Sequence, residues 1–187
     1  MSLVENVRRR FARPPEQVRV AVAGAGDPDE RILAWGVLNG NEGWLVATSR
    51  GLRSIDSAGG AQTLLRWHEV ALARWTSRST GGSFQVAPLV EVEPGVQTRQ
   101  PARGFELLDA GDLPATVRRR VDETVVASQR VPLPNGGGAL LVARRIPGQP
   151  GREWTVVFDA DADRADPAAR ELTRQKLAEV IAAEQPG

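Results

Sequence analysis

The chain predicts an α+β protein: an antiparallel β-barrel or sandwich with a C-terminal capping helix and an extra helix at about 113–127. Three observations carry this. Short apolar or alternating runs recur about every ten residues from Arg31 to Val92, with glycine-rich turns between them. Two longer strand-like runs follow, Ala139–Ile146 and Glu153–Asp159. Asp166-Pro167 then starts a stretch with apolar residues at helical spacing that runs to about Glu184.

Taken in order, residues 2–11 have Leu3, Val4, Val7 and Phe11 at 3/4 spacing, a short amphipathic helix stopped by Pro14 and Pro15. Val18–Ala23 is β-branched enough that helix and strand compete, and Gly24-Ala-Gly26-Asp-Pro28 ends either one. Strands are expected at Ile32–Leu38, Trp44–Ser49, Leu52–Asp56, Thr63–Trp67, Val70–Ser77 and Ser83–Val92, with Thr80-Gly-Gly82 as a hairpin loop. Pro94–Pro101 reads as irregular and Gly104–Leu108 as a strand. Asp112 and Pro114 open the extra helix, whose apolar face is Val117, Val121, Thr124 and Val125. On the last helix Ala169, Leu172, Thr173, Leu177, Val180 and Ile181 share one side.

With 187 residues the expectation is one domain, burying roughly 70% of its unfolded surface. Residues 1–29 form an N-terminal helical arm and 30–187 a single α+β domain, with the linker-like stretch 93–103 as a candidate internal hinge. Leu33, Leu45, Leu65, Phe84, Leu141, Val156, Leu172 and Val180 are expected to share one core.

Composition narrows the chemistry. With no cysteine and no tyrosine, disulfides, thiolate metal sites and phenolic catalysis are excluded. His68 is the only histidine and Lys176 the only lysine, so imidazole catalysis or a Schiff base has one candidate residue each. A net charge of +1 sets up no global field for nucleic acid. The longest charge-free stretch, Val131–Ala143, is thirteen residues and too short to span a bilayer. Glu5 and Arg8 interrupt the place where a signal peptide needs apolar residues. The expected location is the cytoplasm, with peripheral membrane contact through residues 1–13 as an addition.

Several motifs have a chemical reading beside a plain one. Gly24-x-Gly26 lacks the third glycine of a dinucleotide fingerprint and reads as a turn. Asp159-x-Asp161-x-Asp163 resembles the start of a calcium loop, but Arg164 replaces the turn glycine and Arg170 takes the twelfth position. It reads as a strand exit leading to a helix cap, and no metal or cofactor is assigned. His68, with Ser54, Asp56, Ser57 and Ser77 near it in sequence, has the residue types of a hydrolase but no supporting motif. Arg8-Arg9-Arg10 and Arg118-Arg119-Arg120 are the candidate partner-binding residues, through lipid headgroups or an acidic ligand, against solvated helix faces as the plain reading. The five tryptophans, with Arg66 and Arg74 beside two of them, could stack nucleic-acid bases, but core placement of most is expected.

Arg31-Ile-Leu-Ala-Trp35, Trp44-Leu-Val-Ala-Thr-Ser-Arg-Gly-Leu52, Leu65-Arg-Trp-His-Glu-Val70, Ala73-Arg-Trp75 and Phe84-Gln-Val86 resemble segments of bacterial pleckstrin-homology-like (PH-like) and GRAM domains. Taken whole, the chain also resembles an uncharacterised family of actinobacterial proteins. The PH-like resemblance implies about seven strands closed by a C-terminal helix, a role suited to 167–184. It also implies a basic first hairpin in members that grip phosphoinositides, whereas Asn39-Gly-Asn-Glu-Gly43 carries no basic residue. The expected function is a non-catalytic binding or adaptor module for a protein or peptide. A weak hydrolase using His68 and a single-stranded nucleic-acid-binding barrel are the alternatives. Oligomeric state is left open.

Overall fold

The computed structural model describes residues 13–60, 64–146 and 149–184, apart from the side chains of Asn41 and Glu184. Its elements in chain order are α1 (Glu16–Ala23), β1 (Ile32–Leu38), β2 (Gly43–Thr48), β3 (Gly51–Asp56), β4 (Leu65–Arg66), β5 (Val70–Ser77), β6 (Gly82–Glu93), β7 (Val96–Arg99), β8 (Arg103–Asp109), α2 (Leu113–Asp122), β9 (Val125–Pro132), β10 (Gly138–Arg144), β11 (Glu153–Phe158) and α3 (Pro167–Glu184). The class is α+β, with a mostly antiparallel sheet of 11 strands. The pairing of β7 with β11 is parallel, and no pairing among the described residues closes the sheet into a barrel.

The chain forms two compact units. Of the described residues, one holds those up to Ala87 together with Ala102–Asp122; the other holds Pro88–Pro101 together with those from Glu123 onward. Strand β6 contributes its first half to one and its second half to the other.

In the first unit the strand order is β4-β3-β2-β1-β8-β6, with β5 also pairing β6. Both faces of β2 are used, because side chains alternate along a strand. Leu45 and Ala47 join Trp67, Val70, Phe84, Leu107, Leu113 and Val117 in one core, while Val46 turns to Val18, Ala21, Val22 and Ile55. The β-branched stretch at 18–23 is helical, since Val18, Ala21 and Val22 fall at i, i+3 and i+4 and bury one stripe. At Gly43, φ is +121° and a Cβ would lie 2.0 Å from the Ile55 carbonyl oxygen, so the approach of β2 to β3 admits only glycine there. Helix α2 packs on β5, β1 and β2 through Leu113 and Val117.

In the second unit β9, β10 and β11 form an antiparallel meander, extended by β7 and the end of β6. Helix α3 lies on β10 and β11. Val131, Leu133, Ala139, Leu141, Val156, Phe158 and Ala169 form its core, with Leu172, Leu177 and Val180 packed at the margin. Asp166 caps the helix: its Oδ1 accepts from the Ala168 amide at 3.0 Å, and Pro167 fills the first turn.

Four expectations are corrected. The helix read as 113–127 ends at Asp122, and Val125 already begins β9. Residues 96–99, read as irregular, form β7. The eight residues assigned to one core divide: Leu45, Leu65 and Phe84 belong to the first unit's cluster and Leu141, Val156, Leu172 and Val180 to the second's. Leu33 is half-buried and in neither, because it is the extra residue of a bulge in β1, between the pairs Ile32–Thr48 and Ala34–Ala47. Finally, the helix at 167–184 packs on β10–β11 of the second unit, and the helices against the first unit's strands are α1 and α2.

Candidate functional site

Within the second unit a cleft of about 220 Å³ opens between the β6–β7 turn, β11 and the N-terminal half of α3. Val96, Val156, Phe158 and Leu177 give it an apolar floor, and Arg164, Arg170 and Arg174 stand at its rim. Local structure explains how these residues meet. β6 carries a bulge: Glu91 pairs Gln97 while Glu93 pairs Val96, so Val92 is the extra residue. Pro94-Gly95 then reverses the chain, with Gly95 at φ +75°, the positive value that a turn's third position takes with glycine.

That turn is tied down on both sides. The Gly95 amide donates to Glu91 Oε1 at 2.8 Å, and the Val156 amide donates to the Gly95 carbonyl at 2.8 Å. From the same turn Glu93 reaches α3, where Arg170 Nη1 donates to Oε1 at 3.2 Å and Nη2 to Oε2 at 2.5 Å. A two-pronged guanidinium–carboxylate pair fixes orientation as well as distance. Helical spacing puts Arg174 one turn beyond Arg170; its partner is Glu171, in an exposed pair at 2.7 Å. Arg164 forms no ion pair among the described residues and is exposed. The cleft therefore holds one carboxylate against three guanidiniums, and that carboxylate is committed to Arg170.

Among the described residues the one hydroxyl lining the cleft, that of Thr173, is buried and bonded to the Ala169 and Arg170 carbonyls at 2.9 and 3.0 Å. No histidine or serine among the described residues lines it. Such a site offers an apolar surface and positive charge, which suits holding a ligand better than transferring a proton or an acyl group.

The residues singled out from sequence lie elsewhere. Arg8, Arg9 and Arg10 fall outside the described residues. Arg118, Arg119 and Arg120 are on α2 in the first unit; Arg118 and Arg119 are exposed, with Arg118 at 3.8 Å from Asp122, while Arg120 is half-buried. His68 sits in a single helical turn, Trp67–Glu69, whose start is closed by the Arg66 amide donating to Glu69. Asp56 Oδ1 accepts from the Gly60 amide at 2.8 Å and so closes its own loop. Among the described residues no three acidic or histidine side chains converge as a metal cluster. Asp159 pairs with Arg130, and Asp163 Oδ1 caps the Ala165 amide. Of the tryptophans, Trp67 is buried with its Nε1 donating to the Thr48 carbonyl at 3.1 Å. Trp35, Trp44, Trp75 and Trp154 are half-buried at the margins of the cores.

Three charged groups, Glu30, Arg53 and Arg144, are buried. Glu30, at the entry to β1, lies under Arg53 of β3. Burial alone would raise its pKa, but bonds from Arg53 and the Thr48 hydroxyl outweigh this and hold the carboxyl below its ordinary range. Nearby, the Arg50 guanidinium and the Asp29 amide hold Asp27 low as well. In the second unit Arg144 is buried, its Nη1 donating to Thr124 Oγ1 at 2.9 Å, and burial draws its pKa below the usual value. No helix among the described residues is long and apolar enough to cross a membrane. Comparison of the chain with family models, with curated proteins and with solved structures finds no match.

Proposed function

We propose that this protein is a non-catalytic binding module whose ligand is a segment of a protein partner, received in the cleft of the second unit. The observation that carries the reading is the cleft itself: an apolar floor under an arginine rim, with the one acidic group neutralised by Arg170. A Glu93 carboxylate with both oxygens engaged is poorly placed to act as a base, and Thr173 is committed to backbone carbonyls.

For the first unit the PH-like reading is retained. Its support is the count and order of strands: β1–β6 and β8 make seven, with β1 paired to both β2 and β8. One seam stays open, between β4 and β5, where the chain passes through the turn at Trp67–Glu69. In this reading α2, rather than the last helix, takes the capping role.

Peptide-display selection tests the function. Peptides enriched on the wild-type protein should lose at least about tenfold in affinity on Val92→Trp, which fills the cleft from an exposed position. Selection that yields only peptides indifferent to Val92→Trp, or that shows peptides being hydrolysed, contradicts it.

A further inference from the structure

We infer that the cleft recognises the C-terminal residue of a partner polypeptide, the apolar side chain on the floor and the free carboxylate on Arg164 and Arg174. The inference rests on the cleft being the ligand site and adds the chemistry of the occupant.

Three features select this occupant. Charge comes first: Arg170 is paired with Glu93 and Arg174 with Glu171, while Arg164 is exposed and forms no ion pair among the described residues, so the rim keeps a positive charge that calls for an anion. Arginine suits a carboxylate in particular, because its fork of donors matches two oxygens. Among the described residues Arg174 is held by the exposed Glu171, a kind of pair worth little in water and readily exchanged.

Size comes second. Pockets for drug-sized ligands run from roughly 300 to 1,000 Å³. At about 220 Å³ this one is smaller, room for a single large side chain and its carboxylate rather than a nucleotide or a long acyl chain.

Third is the backbone. An extended peptide adding itself as a strand would need free main-chain donors and acceptors. At the β6–β7 turn the Gly95 amide and carbonyl are both taken, by Glu91 and Val156. Recognition therefore falls to an apolar group and an anion presented together. An interior peptide residue offers the first without the second, whereas a C-terminal leucine has both on one Cα.

The test is a ¹H–¹⁵N titration of the full chain with four small probes at millimolar concentration: N-acetyl-leucine, N-acetyl-leucinamide, N-acetylglycine and N-acetyl-aspartyl-leucinamide. N-acetyl-leucine should shift the amides of Gly95, Val156 and Thr173, with an affinity that falls as salt rises. The other three should bind at least about tenfold more weakly, since each lacks the carboxylate, the side chain or their placement on one carbon. Arg164→Gln with Arg174→Gln should weaken N-acetyl-leucine by a similar factor. Both positions are exposed, so the fold should survive, and an unchanged spectrum away from the cleft checks this.

Equal binding of the acid and its amide overturns the inference, as does binding that survives the double variant. Equal binding of the aspartyl probe assigns the rim to an acidic side chain and overturns the C-terminal assignment. If displayed peptides occupy the cleft through internal residues, this inference fails and the binding-module reading stands. If no peptide and no probe reaches the cleft, both fail.

Discussion

Arg53 holds Glu30 by two parallel bonds, Nε to Oε1 at 2.9 Å and Nη2 to Oε2 at 2.8 Å, where the Glu30 side chain has no exposed surface. The Thr48 hydroxyl adds a third bond to Oε1 at 2.6 Å. The pair ties the entry of β1 to β3, and Thr48 also receives the Arg50 and Gly51 amides at the β2–β3 turn.

Breaking such a pair from one side leaves a buried cation without its counter-charge. Glu30→Gln should cost about 3–5 kcal/mol of stability by urea denaturation. Arg78→Ala, which removes an exposed pair with Glu106, should cost at most about 1 kcal/mol. Equal costs would show that burial does not distinguish the two.

The same pair sets an acid limit. Glu30 and Asp27 have folded-state pKa values below their ordinary 4.5 and 3.8. Their contribution is therefore complete above those values and is lost as pH falls through the lower folded-state values. Wild-type stability should decline on acidification below about pH 4.5, and Glu30→Gln should decline less steeply. Parallel profiles for the two proteins would refute the assignment to Glu30.

Leu141 is fully buried on β10, at the centre of the second unit's core. Leu141→Ala should cost about 2–5 kcal/mol. Hydrogen exchange should quicken at the amides of β9, β10, β11 and the N-terminal half of α3, where the side chain's neighbours lie. Unchanged exchange in these strands would contradict the core assignment.

How far the sequence was legible depends on whether a local signal existed. Helix α3 was readable because Asp166-Pro167 marks its start and Ala169, Leu172, Leu177 and Val180 repeat at helical spacing. β1 and β5 match their expected bounds because each apolar run starts after charged residues and ends at turn formers, Asn39-Gly40 after β1 and Ser79-Thr-Gly-Gly82 beyond β5. The end of α2 was not readable by periodicity, since Val117, Val121, Thr124 and Val125 satisfy a helix. What decides it is a contact beyond the helix: Val125 pairs with Arg144 of β10, the next strand along the chain, and Val126 is the extra residue before the Ala127–Ala143 pair. β7 was missed for a similar reason: a four-residue, largely polar segment is held as a strand by β6 and β11 on its two sides. The cleft draws on three separate stretches, 92–96, 156–158 and 164–177, and had no contiguous motif. Its one local trace was Arg170 and Arg174 on a single helix face, beside Arg164, which in sequence registered only as a departure from a calcium loop.

Arg144 gives an opposite prediction to Glu30. Its guanidinium is buried, and among the described residues Thr124 is its hydrogen-bond partner while Nε has none, so the charge is carried at a cost. Arg144→Met keeps the packing volume and removes the cation. Stability should be unchanged or higher, by up to about 4 kcal/mol. A loss of about 2 kcal/mol or more would show that the cation is compensated when the protein is in solution.

The most direct test of the whole account is hydrogen-exchange mapping of a display-selected peptide on the full chain. Protection confined to residues 92–96, 156–158 and 164–177 is the predicted result. Protection centred on Arg118–Arg120 or on His68, with the cleft unchanged, would contradict it.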